Sequence, residues 1–173
     1  MVVVMADRET EAAAVALLDL CKSKGLMVAT AESCTGGLVA GALTDIAGSS
    51  AVVDRGFVTY SNAAKERMLG VPALTLRQHG AVSRETAEAM VRGAIGNADA
   101  DIAVAVTGIA GPGGGTVDKP VGLVHFACAS RDGTLIARER RYGDIGRAEV
   151  RRNSVLEALA MLMELAQAAE AKP

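Results

Sequence analysis

The chain has 173 residues, 50% of them hydrophobic, which suffices for one domain with a full core but not for two. Its net charge of −2, from 18 basic and 20 acidic side chains mixed along the chain, provides no basic face for DNA or RNA. The aromatic residues are Phe57, Tyr60, Phe126 and Tyr142, too few to hold single-stranded nucleic acid by base stacking.

The cysteines indicate a reducing compartment. Cys21, Cys34 and Cys128 are odd in number, widely spaced and without a CxxC pair, which favours free thiols over a disulfide framework or a zinc site. The apolar start, residues 1–6, is too short for a secretory signal, and no apolar run is long enough to span a bilayer. We expect a cytoplasmic protein without membrane contact, metal or cofactor.

Apolar periodicity and turn residues predict alternating helices and strands. The first helix follows the cap candidates Asp7 and Thr10 and stops at Gly25, and a later helix is capped by Ser61 or Asn62. The elements after the first helix are predicted at about 26–30, 38–46, 51–59, 62–69, 83–96, 102–106, 121–129, 134–142 and 146–169.

The strand pattern defines the fold class. The run 102–106 is typical of a strand covered on both faces, and Asp132-Gly133 between the last two strands predicts a hairpin. We therefore predict an α/β fold, a three-layer α/β/α sandwich with a mixed, mostly parallel sheet, as a single domain over residues 1–173.

Three predicted strands end in glycine and small polar residues. The segments are ATAESCTGG at 29–37, FVTYSNAAKE at 57–66 and AVAVTGIAGPGGG at 103–115. Because ligands of open α/β sheets bind beyond the carboxyl ends of the strands, these three ends predict one shared pocket.

The first two segments offer a nucleophile and a base. Ser33 lies at a strand-to-helix corner where the N–H groups near Thr35, Gly36 and Gly37 would bind phosphate or an oxyanion, although Ser33 and Thr35 also suit simple helix capping. Lys65 falls in the first turn of its helix, where it opposes the dipole. It either holds an anion, which raises its pKa, or is buried and activates a hydroxyl, or is simply solvated.

Other side chains complete the candidate pocket. Tyr60 would donate to an oxygen or stack on a ring, and Thr107 would face the same crevice. The glycine loop after Thr107, which includes Gly108 and Gly111, lacks the GK[ST] ending of a P-loop and is expected to line the pocket. For Lys119 in this loop we favour a solvated side chain.

Three arginines in the first turns of the last helix suggest an anion partner or a carboxylate of a neighbouring subunit: Arg147, Arg151 and Arg152.

Two other constellations are weaker. Cys34 with His79 or His125 would make a thiol enzyme, but such cysteines are mostly small buried residues. The aspartates that would bind a metal have no ligand spacing; they are Asp45, Asp54 and Asp118.

With these residues assembled, the chain resembles the CinA C-terminal domain family, in its stand-alone form. The motifs that carry the resemblance span about Thr10 to Ala166, the expected core: AESCTGG (31–37), GSS (48–50), RGFVTYSNAAK (55–65), HGAVSRETA (79–87) and VTGIAGPGGGTVDKPVGLV (106–124). The larger N-terminal domain of full-length relatives is absent from this sequence.

The resemblance implies hydrolysis of the carboxamide of nicotinamide mononucleotide to nicotinic acid mononucleotide and ammonia, in pyridine nucleotide salvage. On this reading Ser33 is the nucleophile, Lys65 the base and Tyr60 an assistant in proton transfer or a ring contact. The N–H groups near Thr35 to Gly37 form the oxyanion hole, Thr107 and the glycine loop line the substrate, and Arg147 meets the phosphate.

The resemblance leaves alternatives open. Ser50 also lies in a family motif, as a rival nucleophile or a substrate contact, although a helix between the two serines would hold it roughly 18 Å from Ser33 unless a neighbouring subunit brings it back. The rival function is a non-catalytic nucleotide-binding or partner-binding module linked to competence or DNA damage, and a third is an amidase for another small amide. We also expect a homodimer or a higher homo-oligomer.

Overall fold

The computed structural model describes residues 7–173 as a five-stranded sheet with helices packed on both faces. The strands are β1 (Val28–Glu32), β2 (Val53–Val58), β3 (Ile102–Gly108), β4 (Leu123–Ser130) and β5 (Leu135–Arg141). The helices are α1 (Arg8–Lys24), α2 (Leu38–Thr44), α3 (Asn62–Leu69), α4 (Ala73–His79), α5 (Arg84–Gly96) and α6 (Arg147–Ala168), with a short 3-10 helix at Ser49–Ala51. The predicted three-layer α/β/α sandwich is confirmed.

The sheet is mixed, with the strand order β2-β1-β3-β4-β5. β1 is parallel to both β2 and β3, whereas β4 is antiparallel to its neighbours β3 and β5. Four of the five strands therefore run in one direction, and the predicted hairpin joins β4 to β5. The register pairs Glu32 with Val58 on one side and Val106 on the other, so the three parallel strands end together.

The two faces of the sheet carry side chains of different size. In β3, Ile102, Val104 and Val106 pack against α1 and α6, whereas the alternating alanines Ala103 and Ala105 pack against α5. An alanine face allows a helix to approach the sheet closely. The alternation in the sequence thus determines how near α5 lies.

Helix caps follow the predicted residues in three cases. Asp7 accepts from the N–H of Thr10 at the start of α1, and Gly25 closes that helix in the left-handed conformation, with φ at +67°. Ser83 caps α5 in the same way as Asp7 caps α1. Of the two candidates for α3, Ser61 is the cap, because its hydroxyl accepts from the N–H of Ala64.

Other predicted boundaries are wrong. β1 begins and ends two residues later than predicted, so Glu32 belongs to the strand. α2 begins at Leu38 as predicted, after Gly36 and Gly37 hold the chain in a turn with positive φ angles, but it ends at Thr44, two residues early. α4 was not predicted: Pro72 suggested only a helix stop, but its fixed φ also suits the start of a new helix.

No helix within residues 7–173 is both long enough and apolar enough to cross a membrane.

Candidate functional site

Ser33 and Lys65 meet where β1 and β2 end. Lys65 Nζ donates to Ser33 Oγ at 3.0 Å and to the carbonyl oxygen of Thr59 at 2.7 Å. Ser33 directly follows β1, and its own N–H donates to Val106 O of the neighbouring strand β3. Backbone hydrogen bonds of the sheet therefore fix the serine, and the first turn of α3 presents the lysine to it.

Lys65 is fully buried, with 0% of its surface exposed. Burial lowers its pKa, since a charged ammonium loses its hydration inside the protein. Among the ion pairs of residues 7–173, none includes Lys65. Of the three roles that the sequence left open, the geometry excludes the solvated lysine and fits the buried base.

A neutral Lys65 has the correct donors and acceptor for a base. Its two N–H bonds leave one lone pair, so the amine donates to Thr59 O while it accepts the Ser33 hydroxyl proton. The 3.0 Å separation is within the range for such a transfer. The pair can therefore act as a nucleophile and its general base.

The turn that follows, Ser33–Gly37, is tightly hydrogen-bonded. The N–H of Gly36 donates to Ser33 O and that of Leu38 to Thr35 O. Within residues 7–173, no hydrogen bond uses the N–H of Thr35 or of Gly37. Thr35 is fully buried, whereas Gly37 is partly exposed. Gly37 is the better placed of the two for an incoming oxygen.

A carboxylate of the protein occupies the first turn of α2. Glu32 is fully buried, and its two oxygens accept from the N–H of Val39 at 2.8 Å and of Ala40 at 3.0 Å. This acceptor satisfies two free donors of the helix and complements its dipole. Thr35 caps nothing, since its Oγ1 has no partner in the described part of the chain.

Tyr60, Gly111 and Arg147 connect the other strand ends. Arg147 donates through Nη2 to Tyr60 Oη at 3.0 Å and through Nη1 to Gly111 O at 2.9 Å. The Tyr60 side chain is largely exposed, and Arg147 is exposed as well. This bridge joins the residues after β2 to the glycine loop after β3, so the three strand ends do converge.

Of the remaining candidate cations, three have partners inside the chain. Arg152 pairs with Asp7, the N-cap of α1, and with Glu9 of α1, at 2.7 Å to each. Arg151 donates to the carbonyls of Cys34 and Thr35. Lys119, for which we expected a solvated side chain, is partly exposed, and its Nζ donates to His79 O.

Thr107 and Gly108 lie at the expected strand end but mainly pack. The Thr107 hydroxyl donates to Ala81 O at 2.7 Å, which ties β3 to the segment before α5. A Cβ at Gly108 would lie 2.7 Å from Val124 Cγ2, so glycine permits the close contact with β4. The Thr107 oxygen keeps a lone pair, but the side chain is buried, with 1% of its surface exposed.

Ser50 lies elsewhere. It is exposed in the 3-10 helix before β2, at the opposite end of the sheet from Ser33, because β2 runs parallel to β1. The two serines are not brought together within one chain. A role for Ser50 at this site would need a second copy.

The thiol and metal alternatives receive no geometric support. Cys34 is buried, and burial raises its pKa to about 12, so the nucleophilic thiolate is scarce at neutral pH. His125 is buried in β4 beside Glu139, and His79 lies beside Glu85. Residues 7–173 contain no group of three or more His, Cys, Asp or Glu side chains that would hold a metal ion.

Sequence reasoning missed the roles of Glu32 and Arg151. Glu32 directly precedes the candidate nucleophile. It accepts a hydrogen bond from the N–H of Val39, seven residues later, which is a longer separation than in a usual helix cap. Arg151 is 117 residues from its acceptor Cys34. Neither role could be predicted from the sequence, because both depend on how α2 and α6 pack around the turn.

The family model that describes the CinA C-terminal domain matches residues 10–166. A protein of Enterobacter agglomerans named nicotinamide-nucleotide amidohydrolase PncC is 56% identical over 121 residues, 70% of this chain and 74% of that protein. The protein of the same name in Escherichia coli K12 is 54% identical over 144 residues, 83% of this chain and 86% of that one. Other relatives, named CinA-like or putative competence-damage inducible proteins, are longer, and this chain spans 31–34% of them.

A solved structure has the same fold. The crystal structure of the competence/damage inducible protein CihA from Agrobacterium tumefaciens superimposes with a TM-score of 0.93 at 58% identity, and the match covers 94% of this chain and 99% of that one.

Proposed function

This chain belongs to the CinA C-terminal domain family, and on that premise we propose that it is a nicotinamide-nucleotide amidohydrolase. The reaction converts nicotinamide mononucleotide and water to nicotinic acid mononucleotide and ammonia, a step in pyridine nucleotide salvage. Relatives that carry this name match most of the chain at 54–56% identity. The observation that carries the proposal is the buried Lys65 on Ser33, an arrangement suited to amide hydrolysis.

The reaction proceeds in two halves. Ser33 Oγ gives its proton to neutral Lys65 and attacks the carboxamide carbon, and the protonated lysine then passes the proton to the leaving nitrogen, which departs as ammonia. Water gives a proton to Lys65 and attacks the resulting ester. The C–O bond to Ser33 breaks, the acid is released and Ser33 takes the proton back. The partly exposed N–H of Gly37 stabilises the oxyanion in both halves.

Substrate binding separates the phosphate from the base. Arg147, exposed at the far side of the Tyr60 contact, receives the phosphate through its planar guanidinium. Tyr60 contacts the ring or assists proton transfer, while Thr107, Gly108 and Gly111 line the crevice. A phosphate that pairs with Arg147 and not with Lys65 would leave the lysine pKa low, as a base requires.

The test is ammonia release and product identity with nicotinamide mononucleotide, with free nicotinamide and the riboside as controls. We expect the mononucleotide to be deamidated and the two controls, which lack the phosphate, to react poorly. A folded protein without turnover would favour the non-catalytic module or an amidase for another amide.

The same assay identifies the nucleophile. We expect Ser33→Ala to lower kcat by about 10⁴-fold or more, since the variant has no hydroxyl with which to form the covalent intermediate. Ser50→Ala is the matched serine control, and a normal rate in Ser33→Ala would refute the mechanism. Cys34→Ala keeps most activity.

Compartment and assembly remain predictions of the same proposal. The free, buried thiols of Cys21, Cys34 and Cys128 fit a reducing cytoplasm. A homodimer would have twice the 17.7 kDa of the chain, which light scattering on the eluting protein can measure.

A further inference from the structure

The peptide unit between Cys34 and Thr35 is held by one side chain. Arg151 Nε donates to Cys34 O at 3.2 Å, and no other hydrogen bond within residues 7–173 reaches that oxygen. The N–H on the other side of this unit, that of Thr35, has no acceptor there either. Arg151 therefore sets the orientation of this peptide plane by itself.

The next peptide unit is held by the same guanidinium. Arg151 Nη2 donates to Thr35 O at 3.3 Å, an oxygen that also accepts from the N–H of Leu38. In a trans peptide the C=O and N–H point in opposite directions, so fixing Thr35 O also aims the N–H of Gly36. That N–H donates to Ser33 O. A chain of contacts thus runs from Arg151 to the backbone of Ser33.

The turn is shaped to admit the arginine. Gly36 has φ at +59°, and a Cβ there would lie 3.3 Å from Arg151 Nη2. Thr35 offers no substitute contact, because its buried Oγ1 has no partner in the described residues. On the far side, Glu32 fastens the start of α2. The arginine therefore binds the carbonyls of the turn, and the glutamate binds the N–H groups of the helix that follows it.

The helix positions of the three arginines divide them into different roles. Arg147 and Arg151 are four residues apart and share a face of α6, whereas Arg152 is rotated away and pairs with α1. Each makes two hydrogen bonds, but Arg147 is exposed at the Tyr60 bridge, whereas Arg151 is partly buried and points both donors at backbone carbonyls of the turn. Arg151 is thus poorly placed for a substrate anion.

We propose that Arg151 is a positioning residue that holds the Cys34 and Thr35 carbonyls so that Ser33 stays aligned with Lys65. This role rests on the proposed amidohydrolase function. It adds to that function a residue that acts through the backbone of the turn and touches neither substrate nor reacting atoms.

The test compares kinetic constants for nicotinamide mononucleotide in Arg151→Met, Arg147→Met and Arg152→Met. Arg151→Met lowers kcat by about 10–100-fold at unchanged KM, because a misplaced nucleophile slows the chemical step but leaves the affinity for the substrate unchanged. Arg147→Met raises KM, and Arg152→Met lowers the melting temperature without changing kcat. A raised KM at full kcat in Arg151→Met would make Arg151 a substrate ligand and overturn the proposal, as would unchanged constants.

A second measurement does not depend on activity or on the folding of the Met variant. In Arg151→Lys, a single ammonium replaces the planar fork, so the amides of Gly36 and Leu38 exchange hydrogen faster than in the wild type. The matched Arg152→Lys leaves their exchange unchanged. Unchanged exchange in Arg151→Lys would overturn the proposal. If wild-type protein releases no ammonia, the proposed function fails, while exchange still decides whether Arg151 holds the turn.

Discussion

Lys65 is the residue on which the chemistry depends. It is fully buried, donates to Ser33 and Thr59, and forms no ion pair among the described residues. The sequence indicated its importance through its position in the first turn of α3, where a cation opposes the dipole. It did not distinguish an anion-binding lysine from a base, because that depends on burial.

Activity should rise with pH through the pKa of Lys65. The base must be neutral, and burial lowers its pKa from the usual lysine value of 10.5, so the rising limb of kcat lies at lower pH than for an exposed lysine. The measurement is kcat against pH at saturating nicotinamide mononucleotide. Lys65→Arg, which stays charged, should lose about 10²–10⁴-fold at every pH. A rate that falls steadily as pH increases would contradict the base role.

Glu32 shows the limit of reasoning from residue types. The strand-to-helix corner indicated a turn at Ser33, and Ser33 there meets Lys65, but the first turn of α2 holds a carboxylate from the adjacent strand residue. Local patterns reveal free donors, and only packing reveals what satisfies them.

At the scale of elements, α5 packs closely on two neighbours. It lies on the alanine face of the sheet, and its Gly93 approaches the C-terminal end of α3. A Cβ at Gly93 would lie 1.9 Å from Leu69 O, whereas a Cβ at Gly96 of the same helix meets nothing within 4 Å.

These two glycines make a matched pair. Gly93→Ala should destabilise the protein by about 1–3 kcal/mol or more, because the helices must separate. Gly96→Ala should be neutral or stabilising by about 0.4–1 kcal/mol, since alanine reduces the freedom of the unfolded chain. Urea unfolding measures both. Equal effects of the two substitutions would contradict the close approach of α5 and α3.

At the scale of the whole molecule, the buried lysine makes stability depend on pH. The folded-state pKa of Lys65 is below the unfolded value, so the unfolded chain binds more protons between the two. Relative to low pH, the free energy of unfolding is raised fully above about 10.5, the pKa of Lys65 in the unfolded chain. This gain is lost as pH falls from there through the folded-state pKa.

Lys65→Met removes this pH dependence. Relative to wild type, the variant should gain stability as pH falls from 10 to 7, by about 1.4 kcal/mol for each unit by which burial lowers the pKa. Comparison of the two proteins at each pH cancels the other titrating groups and the lost hydrogen bond to Thr59. A constant difference across this range would show that Lys65 is charged in the folded state.

The layers, the order of most elements and the three converging strand ends could all be predicted from the sequence. These features follow from local periodicity, capping residues and turn glycines, which act over a few residues. Three contacts became visible only in the folded chain: buried Lys65 on Ser33, Glu32 at the first turn of α2, and Arg151 on the carbonyls of the turn. Those contacts join residues from separate elements, so burial and pairing exist only once the elements pack.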